Sequence, residues 1–232
     1  MKLSIVMPVY NERATVEEII RRVLAVEVSL EKELVVVDDG STDGTIEVLE
    51  RFLADLDDNR VTFLKHDRNR GKGAALRTAI AATTGEIVIV QDADLEYDPN
   101  DYHVMLEPML DGRADVVYGS RFLGGPHRVL YFWHYVGNKM ITFVSNAVNN
   151  INMTDMETCY KAFRGDLVRS LRLRSDRFGI EPELTAKVCK RDARIYEVPI
   201  SYSGRSYAEG KKITWRDGVK AVVTILRFKF FD

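Results

Sequence analysis

The stretch EIVIVQDADLEYDP, residues 86–99, runs from an unbroken apolar segment straight into four acidic side chains, Asp92, Asp94, Glu96 and Asp98. A continuous Val/Ile run predicts a strand covered on both faces, the mark of a parallel sheet. Carboxylates this close repel one another unless they point into water or a cation gathers among them. At an extended strand end, Asp92, Asp94 and Glu96 would share a face. Hard oxygen ligands in that number suit Mg2+ or Mn2+. Asp98 reads instead as the cap of the helix that Pro99 begins.

The same pattern recurs on either side. LSIVMPV (3–9), ELVVVDD (33–39), VTFLK (61–65) and ADVVYGS (114–120) are further strands, and ATVEEIIRRVLAV, GTIEVLERFLADL and GAALRTAIAAT between them have helical spacing. Strands separated by helices of this length imply right-handed βαβ units, and an open sheet of that kind binds ligands at the carboxyl ends of its strands. The polar clusters fall there: YNE after the first strand, DDGSTDGT after the second, HDRNRGKG after the third and QDADLE after the fourth. The second half is less regular. It holds an apolar-plus-Asn helix near 135–149, a helix EPELTAKVCKR, a strand ARIYEVPISY, a basic loop GRSYAEGKK and a last helix from Trp215. With no linker or repeat, the expectation is one α/β domain over residues 1–232, a mostly parallel central sheet flanked by helices.

Composition narrows the classes. With 46% hydrophobic and 29% charged residues the chain is that of an ordinary globular domain, and a net charge of −2 gives no pull toward nucleic acid. Cys159 and Cys189 lie far apart without metal-ligand spacing and read as core thiols of a reducing, cytoplasmic compartment. No run reaches the roughly 18 apolar residues of a spanning helix, and no signal peptide precedes the first strand. An EF-hand counted from Asp92 would need Gly where Tyr97 stands and Glu where His103 stands. Zinc lacks Cys or His partners, and neither a P-loop nor a dinucleotide fingerprint occurs. In NRGKGAAL, Arg70 and Lys72 stand among glycines at a helix start, suited to an anion. Arg205, Lys211 and Lys212 add a second basic loop. Acids for a metal and bases for phosphates together describe a nucleotide-diphosphate site.

Six segments in order, IVMPVYNE, VVVDDGSTDGT, RNRGKGAAL, DADLEYDP, YGSRF and EVPISYSGRSYAEGKK, resemble the motifs of inverting family 2 glycosyltransferases of the GT-A fold. Within them the chain is most similar to the dolichol- or polyprenyl-phosphate mannosyl- and glucosyltransferases. The resemblance implies that Pro8, Tyr10 and Glu12 line the base pocket and that Asp39 hydrogen-bonds the base. Lys72 would lie by the base or phosphates, and Lys211 would add positive charge there. Asp92 and Asp94, with Ala93 between them, match the D-x-D pair that holds Mg2+ or Mn2+, and Glu96 stands as a third or water-mediated ligand. Arg121 would face the acceptor phosphate, and Arg205 would bridge the donor and acceptor phosphates. The donor would be a UDP- or GDP-sugar and the acceptor a polyprenyl phosphate.

Two departures stand out. Before the interfacial helix, relatives carry an arginine where this chain offers Arg128 and His134, and GKKITW replaces the Gly-x-Ser-Lys of mannosyltransferases. A hydroxyl acceptor would instead require a carboxylate base, for which Asp155, Glu181 and Glu183 are candidates. The alternatives are a relative acting on a saccharide or protein hydroxyl, and a noncatalytic nucleotide-sugar-binding module. A lipid acceptor would require access to a membrane surface or a membrane-protein partner. Val136, Met140, Phe143, Val144 and Ala147 form one helical stripe, and Trp215, Val219, Val222, Val223 and Leu226 form another among basic residues. Segments 126–150 and 213–232 face either a membrane or the protein's own core.

Overall fold

The computed structural model describes residues 1–206 and 215–231. Its sheet holds seven strands among the described residues. They are β1 (Lys2–Val9), β2 (Glu31–Asp38), β3 (Val61–Lys65), β4 (Ile87–Val90), β5 (Val116–Ser120), β6 (Lys161–Arg164) and β7 (Ile195–Pro199), in the order β3-β2-β1-β4-β6-β5-β7. β6 is antiparallel to both of its neighbours, and every other pairing is parallel. That single inverted strand leaves the carboxyl ends of the other six on one edge.

The Val/Ile runs fill both faces, as their unbroken character requires. Ile5, Met7, Leu34, Val36, Ile87 and Ile89 pack with α1 (Val16–Ala25), α2 (Thr45–Leu56) and α4 (Tyr102–Leu110). Val6, Val35, Val37, Val88 and Val90 pack on the other side with α3 (Lys72–Ala81), α6 (Gly165–Ser170) and α7 (Ile180–Cys189). Each fully buried aliphatic side chain contributes about 1.5–3 kcal/mol of transfer free energy. Asp98 caps the 3-10 turn Pro99–Asp101 by accepting from the Asn100 amide, as the sequence predicts. Asp43 accepts from the Thr45 amide at the start of α2.

Two helices pack on each other outside these layers, α5 (Phe132–Asn149) and α8 (Trp215–Phe230). α5 begins three residues before the expected start and buries Thr142, Ser145 and Asn149, a polar face. Its polar side chains dock on the loop that follows. Asn146 Nδ2 donates to the Met153 carbonyl at 2.7 Å, and Thr142 Oγ1 accepts from the Met156 amide at 3.2 Å. The apolar stripe therefore faces outward, with Phe143 72% and Met140 65% exposed. Among the described side chains of α8, Ala221, Ile225 and Phe228 are buried, and Val219, Val223 and Leu226 are exposed. No helix among the described residues is long and apolar enough to cross a membrane.

Candidate active site

β4 stops at Val90, and Leu95 has φ +62°, so residues 91–98 turn rather than extend. This corrects the expectation that Asp92, Asp94 and Glu96 alternate on one strand face. Among the described residues no three His, Cys, Asp or Glu side chains converge as a metal site. The turn sends the three carboxylates to different partners.

Asp92 pairs with Lys72 from the start of α3, 2.8 Å from its Oδ1 and 2.9 Å from its Oδ2. Burial alone would raise the Asp92 carboxyl, but the Lys72 charge holds it below its ordinary value. Burial likewise works against the Lys72 ammonium, yet Asp92 and then Cys159 and Glu181 lift it well above its usual range. Asp94 Oδ2 meets Arg205 Nη2 at 2.7 Å, and its Oδ1 accepts from the Glu96 amide at 3.2 Å. Its carboxyl is pushed up to about 7, first by burial, then by the charges of Asp92 and Glu96, with Arg205 opposing. Glu12 reaches the same guanidinium, at 3.1 Å from Nη1.

Glu96 is a clasp. Its Oε1 accepts from the Arg205 amide at 2.9 Å and Nε at 3.2 Å, its Oε2 from the Tyr202 hydroxyl at 2.8 Å, and its carbonyl from the Ser203 amide. Both oxygens of the carboxylate that the sequence suggests as a third metal or water-mediated ligand are thus engaged within the chain. Glu96 fastens segment 202–205 over the turn. The four carboxylates Glu12, Asp92, Asp94 and Glu96 thus face two cations, Arg205 and Lys72, among the described residues.

Asp39, expected to hydrogen-bond the base, is bonded within the chain. It is 2% exposed, and its oxygens accept from the Arg70 amide at 2.9 Å, the Gly71 amide at 2.6 Å and His66 Nδ1 at 2.7 Å. The carboxylate pins the Gly-rich loop to the end of β2, and its Oδ2, which takes the Gly71 amide alone, keeps an acceptor position. The same bonds use two of the backbone donors expected to cradle an anion, and the Ala74 amide donates to the Asp176 carbonyl. Gly71 has φ +99°, and a Cβ there would sit 2.3 Å from the Asp176 carbonyl oxygen, so only glycine fits the turn. Around it, Pro8 is partly buried on β1, Tyr10 exposed just beyond it, and Ala93 buried, its carbonyl accepting from Thr15 Oγ1 at 2.8 Å.

Arg121, one residue past β5, is locked on Asp155, with Nε 2.7 Å from Oδ2 and Nη2 2.8 Å from Oδ1. Burial would lower the arginine, but Asp155 raises it well above its ordinary value. That pair removes Asp155 from the base candidates. Glu183 is likewise taken, by the Arg174 and Ser175 amides and by Lys187. Arg128 is exposed, and its Nη1 donates to the Gly204 carbonyl at 3.2 Å, which ties it to the 202–205 segment. Lys211 lies outside the described residues.

Several members of this edge carry no sequence signal of their role. His66 and Tyr202 stand inside quoted motifs without an assigned role, and Gln91, at the end of β4, accepts from the Tyr102 and Tyr160 hydroxyls. Cys159 packs against the core as expected, but its Sγ also lies 2.9 Å from Lys72 Nζ. No local pattern in DMETCY signals that placement.

A family model, Glycosyl transferase family 2, matches residues 4–172, the part of the chain that builds β1 through β6 and most of the site. The chain belongs to that family. Among curated relatives, it is 26% identical over 240 aligned positions to an uncharacterised protein of Methanocaldococcus jannaschii, covering 99% of this chain and 93% of that one. It is 29% identical to the undecaprenyl-phosphate 4-deoxy-4-formamido-L-arabinose transferase of Shewanella sediminis, covering 90% of this chain and 61% of that protein. Among solved structures, glucosyl-3-phosphoglycerate synthase of Mycobacterium tuberculosis, in complex with Mn2+, UDP and phosphoglyceric acid, superposes with a TM-score of 0.76. The two share 21% identity, and the match covers 100% of this chain and 79% of that one. The same enzyme with Mg2+ and UDP gives 0.73 at 21% identity, over 98% of this chain and 79% of that one. These likenesses establish the GT-A fold for this family 2 glycosyltransferase.

Proposed function

We propose that the chain is a metal-dependent, inverting hexosyltransferase that uses a UDP- or GDP-sugar and glycosylates a polyprenyl phosphate. The observation that carries this reading is the charge imbalance at the sheet edge. Four carboxylates surround two cations, and the Asp94 carboxyl is pushed up to about 7, first by burial and then by the charges of Asp92 and Glu96. A divalent ion fits such a set: every donor is a hard oxygen, as Mg2+ and Mn2+ prefer. Asp94, with Asp92 beside it, would hold the ion, and Glu96 would keep its clasp. Bound there, the metal supplies Lewis-acid charge to a departing diphosphate. The Mn2+, Mg2+ and UDP found with the Mycobacterium enzyme support both metal and donor.

The chain's own part is electrostatic. Arg205 and Lys72 offer fixed positive charge where the leaving group gathers its electrons. A phosphate acceptor is already ionised at neutral pH and needs no base. Its oxygen bonds to the anomeric carbon as the carbon–oxygen bond to the diphosphate breaks, and the electron pair leaves with the nucleotide. Placement and relief of phosphate–phosphate repulsion are then the remaining tasks, and Arg121 and Arg205 have the charge for them. The polyprenyl acceptor is supported by the outward apolar faces of α5 and α8, and by the undecaprenyl-phosphate activity named for the Shewanella relative. Such faces suit peripheral attachment to the cytoplasmic side of a membrane. A panel of UDP- and GDP-sugars, with and without Mn2+, on vesicles holding a polyprenyl phosphate tests the reading. A glycosylated lipid formed only with metal is expected, and Asp92→Ala and Asp94→Ala should abolish it. Transfer to phosphoglycerate or to a saccharide in its place would overturn the acceptor. Failure to bind any nucleoside diphosphate would overturn the donor.

A further inference from the structure

Beyond Lys72 the site carries polar capacity that neither a metal nor a diphosphate uses. Lys72 Nζ stands 3.6 Å from Glu181 Oε1, an ion pair outside hydrogen-bond reach. Glu181, at the start of α7, is 4% exposed, and its Oε2 is held by the fully buried Lys161. Its Oε1 is buried with no hydrogen-bond partner. Glu157 Oε1, on the loop between α5 and β6, is buried and unpartnered too. Glu157 precedes Thr158, whose carbonyl shares Lys161 Nζ with Glu181 Oε2, and its carboxyl is pushed up to about 7, first by burial and next by the Glu181 charge, with Lys161 and Arg121 opposing.

A buried acceptor left without a donor costs about 1–3 kcal/mol. Two of them around Lys161, that of Glu181 beside Lys72 as well, call for a ligand that brings hydrogen-bond donors but no net charge. A second metal would be repelled by the two flanking ammonium groups, and an anion by the two carboxylates. Neutral hydroxyl groups on adjacent carbons satisfy both constraints. The diphosphate end of the site is at Arg205 and Asp94, and Asp92 joins that end to Lys72, so a sugar hanging from the diphosphate reaches this corner.

We propose that Glu157 and Glu181 form the sugar-reading corner of the site, accepting hydrogen bonds from hydroxyls of the transferred hexose while Lys72 donates to the same ring. This assignment rests on the nucleotide-sugar reading given above. Glu181 is tied to Lys161, so Glu157, free of any ion pair among the described residues, is the residue that sets which hydroxyl pattern is accepted.

The test compares wild type with Glu157→Ala and Glu157→Gln in two assays: calorimetric binding of UDP and GDP with Mn2+, and kcat/KM over donor sugars together with their single-deoxy analogues. Both variants should bind the free nucleoside diphosphate as wild type does. Glu157→Ala should lose about tenfold or more in kcat/KM on the natural sugar, yet little on the analogue that lacks the hydroxyl Glu157 reads. Glu157→Gln, which keeps a carbonyl acceptor, should recover most of the loss. Should the alanine variant fail to fold, Glu157→Thr, polar but too short to reach, gives the same readout. An equal loss on every donor, or no loss on any, overturns the assignment while leaving nucleotide binding intact. If wild type binds neither nucleotide, the donor reading falls first, and the two failures are thereby told apart.

Discussion

Arg205 Nη2 lies 2.7 Å from Asp94 Oδ2, joining residues 111 positions apart in the chain. The guanidinium stands among the carboxylates of Glu12, Asp94 and Glu96, where a divalent ion would also be drawn. Burial opposes the charge on Arg205, but Asp94, Glu12 and Glu96 raise it far above its ordinary value, so it stays cationic at any working pH. Removing it leaves four acids facing Lys72 alone. Arg205→Ala should therefore bind Mn2+ about tenfold more tightly than wild type without nucleotide, as read by electron paramagnetic resonance titration. The same variant should lose about a hundredfold or more in transfer, because a fixed charge on the leaving group is gone. Unchanged Mn2+ affinity would show that Arg205 and the metal do not share these carboxylates.

Asp39 offers a second test, because its role here is to hold the Gly-rich loop. Asp39→Ala strands the Arg70 and Gly71 amides and His66 Nδ1. Losing hydrogen bonds to a buried charge costs about 1.5–3 kcal/mol each at most, and partial relaxation should leave a net loss of about 3 kcal/mol. Urea unfolding measures it. Limited proteolysis should cut the variant within 68–73 before it cuts wild type. A variant as stable as wild type but unable to bind nucleotide would restore Asp39 to the base pocket.

Strands were legible in the sequence because burial on both faces leaves unbroken apolar runs, residues 5–9, 34–37 and 87–90, in β1, β2 and β4. The turn after β4 was not, because an acidic sequence carries no sign of the positive φ at Leu95 that separates Asp92 from Glu96. β6 was equally hidden: four residues, KAFR, are too few for a period, and its inversion depends on where β4 and β5 leave a gap. Glu96 pairs with a residue 109 positions away and Asp39 with one 32 away, distances over which local pattern is silent. The stripe on α5 was plain to read, but not which way it faced. That was decided by Thr142 and Asn146 bonding the 153–156 loop.

At the opposite edge of the sheet, Glu33 predicts a pH dependence of stability. Its carboxylate accepts from Ser4 Oγ at 2.5 Å, the Thr84 amide at 2.6 Å and Thr84 Oγ1 at 2.7 Å, and pairs with Lys2 at 3.2 Å. Burial works against the charged form, but these bonds bring the carboxyl down to about 2 from 4.5. A depressed carboxyl stabilises the fold above its unfolded value, and that contribution is lost as pH falls from about 4.5 toward 2. Glu33→Gln should cost about 2 kcal/mol at pH 7 and progressively less below pH 4.5. Urea midpoints of both proteins across that range check it, and a constant difference would exclude the linkage.

The outward faces of α5 and α8 give the last prediction. Phe143 on α5 is 72% exposed and Val223 on α8 is 60% exposed, so neither contributes much to the core. Substituting exposed apolar residues changes stability by about 0.5 kcal/mol or less. In a headgroup layer the same side chains are buried, each worth about 1.5–3 kcal/mol, and Lys220, Arg227 and Lys229 on α8 add attraction to anionic lipid. Phe143→Asp with Val223→Asp should leave the thermal midpoint unchanged while reducing flotation with anionic vesicles at least tenfold. Transfer to a long-chain polyprenyl phosphate in those vesicles should fall in step, whereas transfer to a short, water-soluble analogue should not. If both acceptors suffer equally, the two residues act on the site itself. If wild type does not float at low salt, these faces meet another protein instead of lipid.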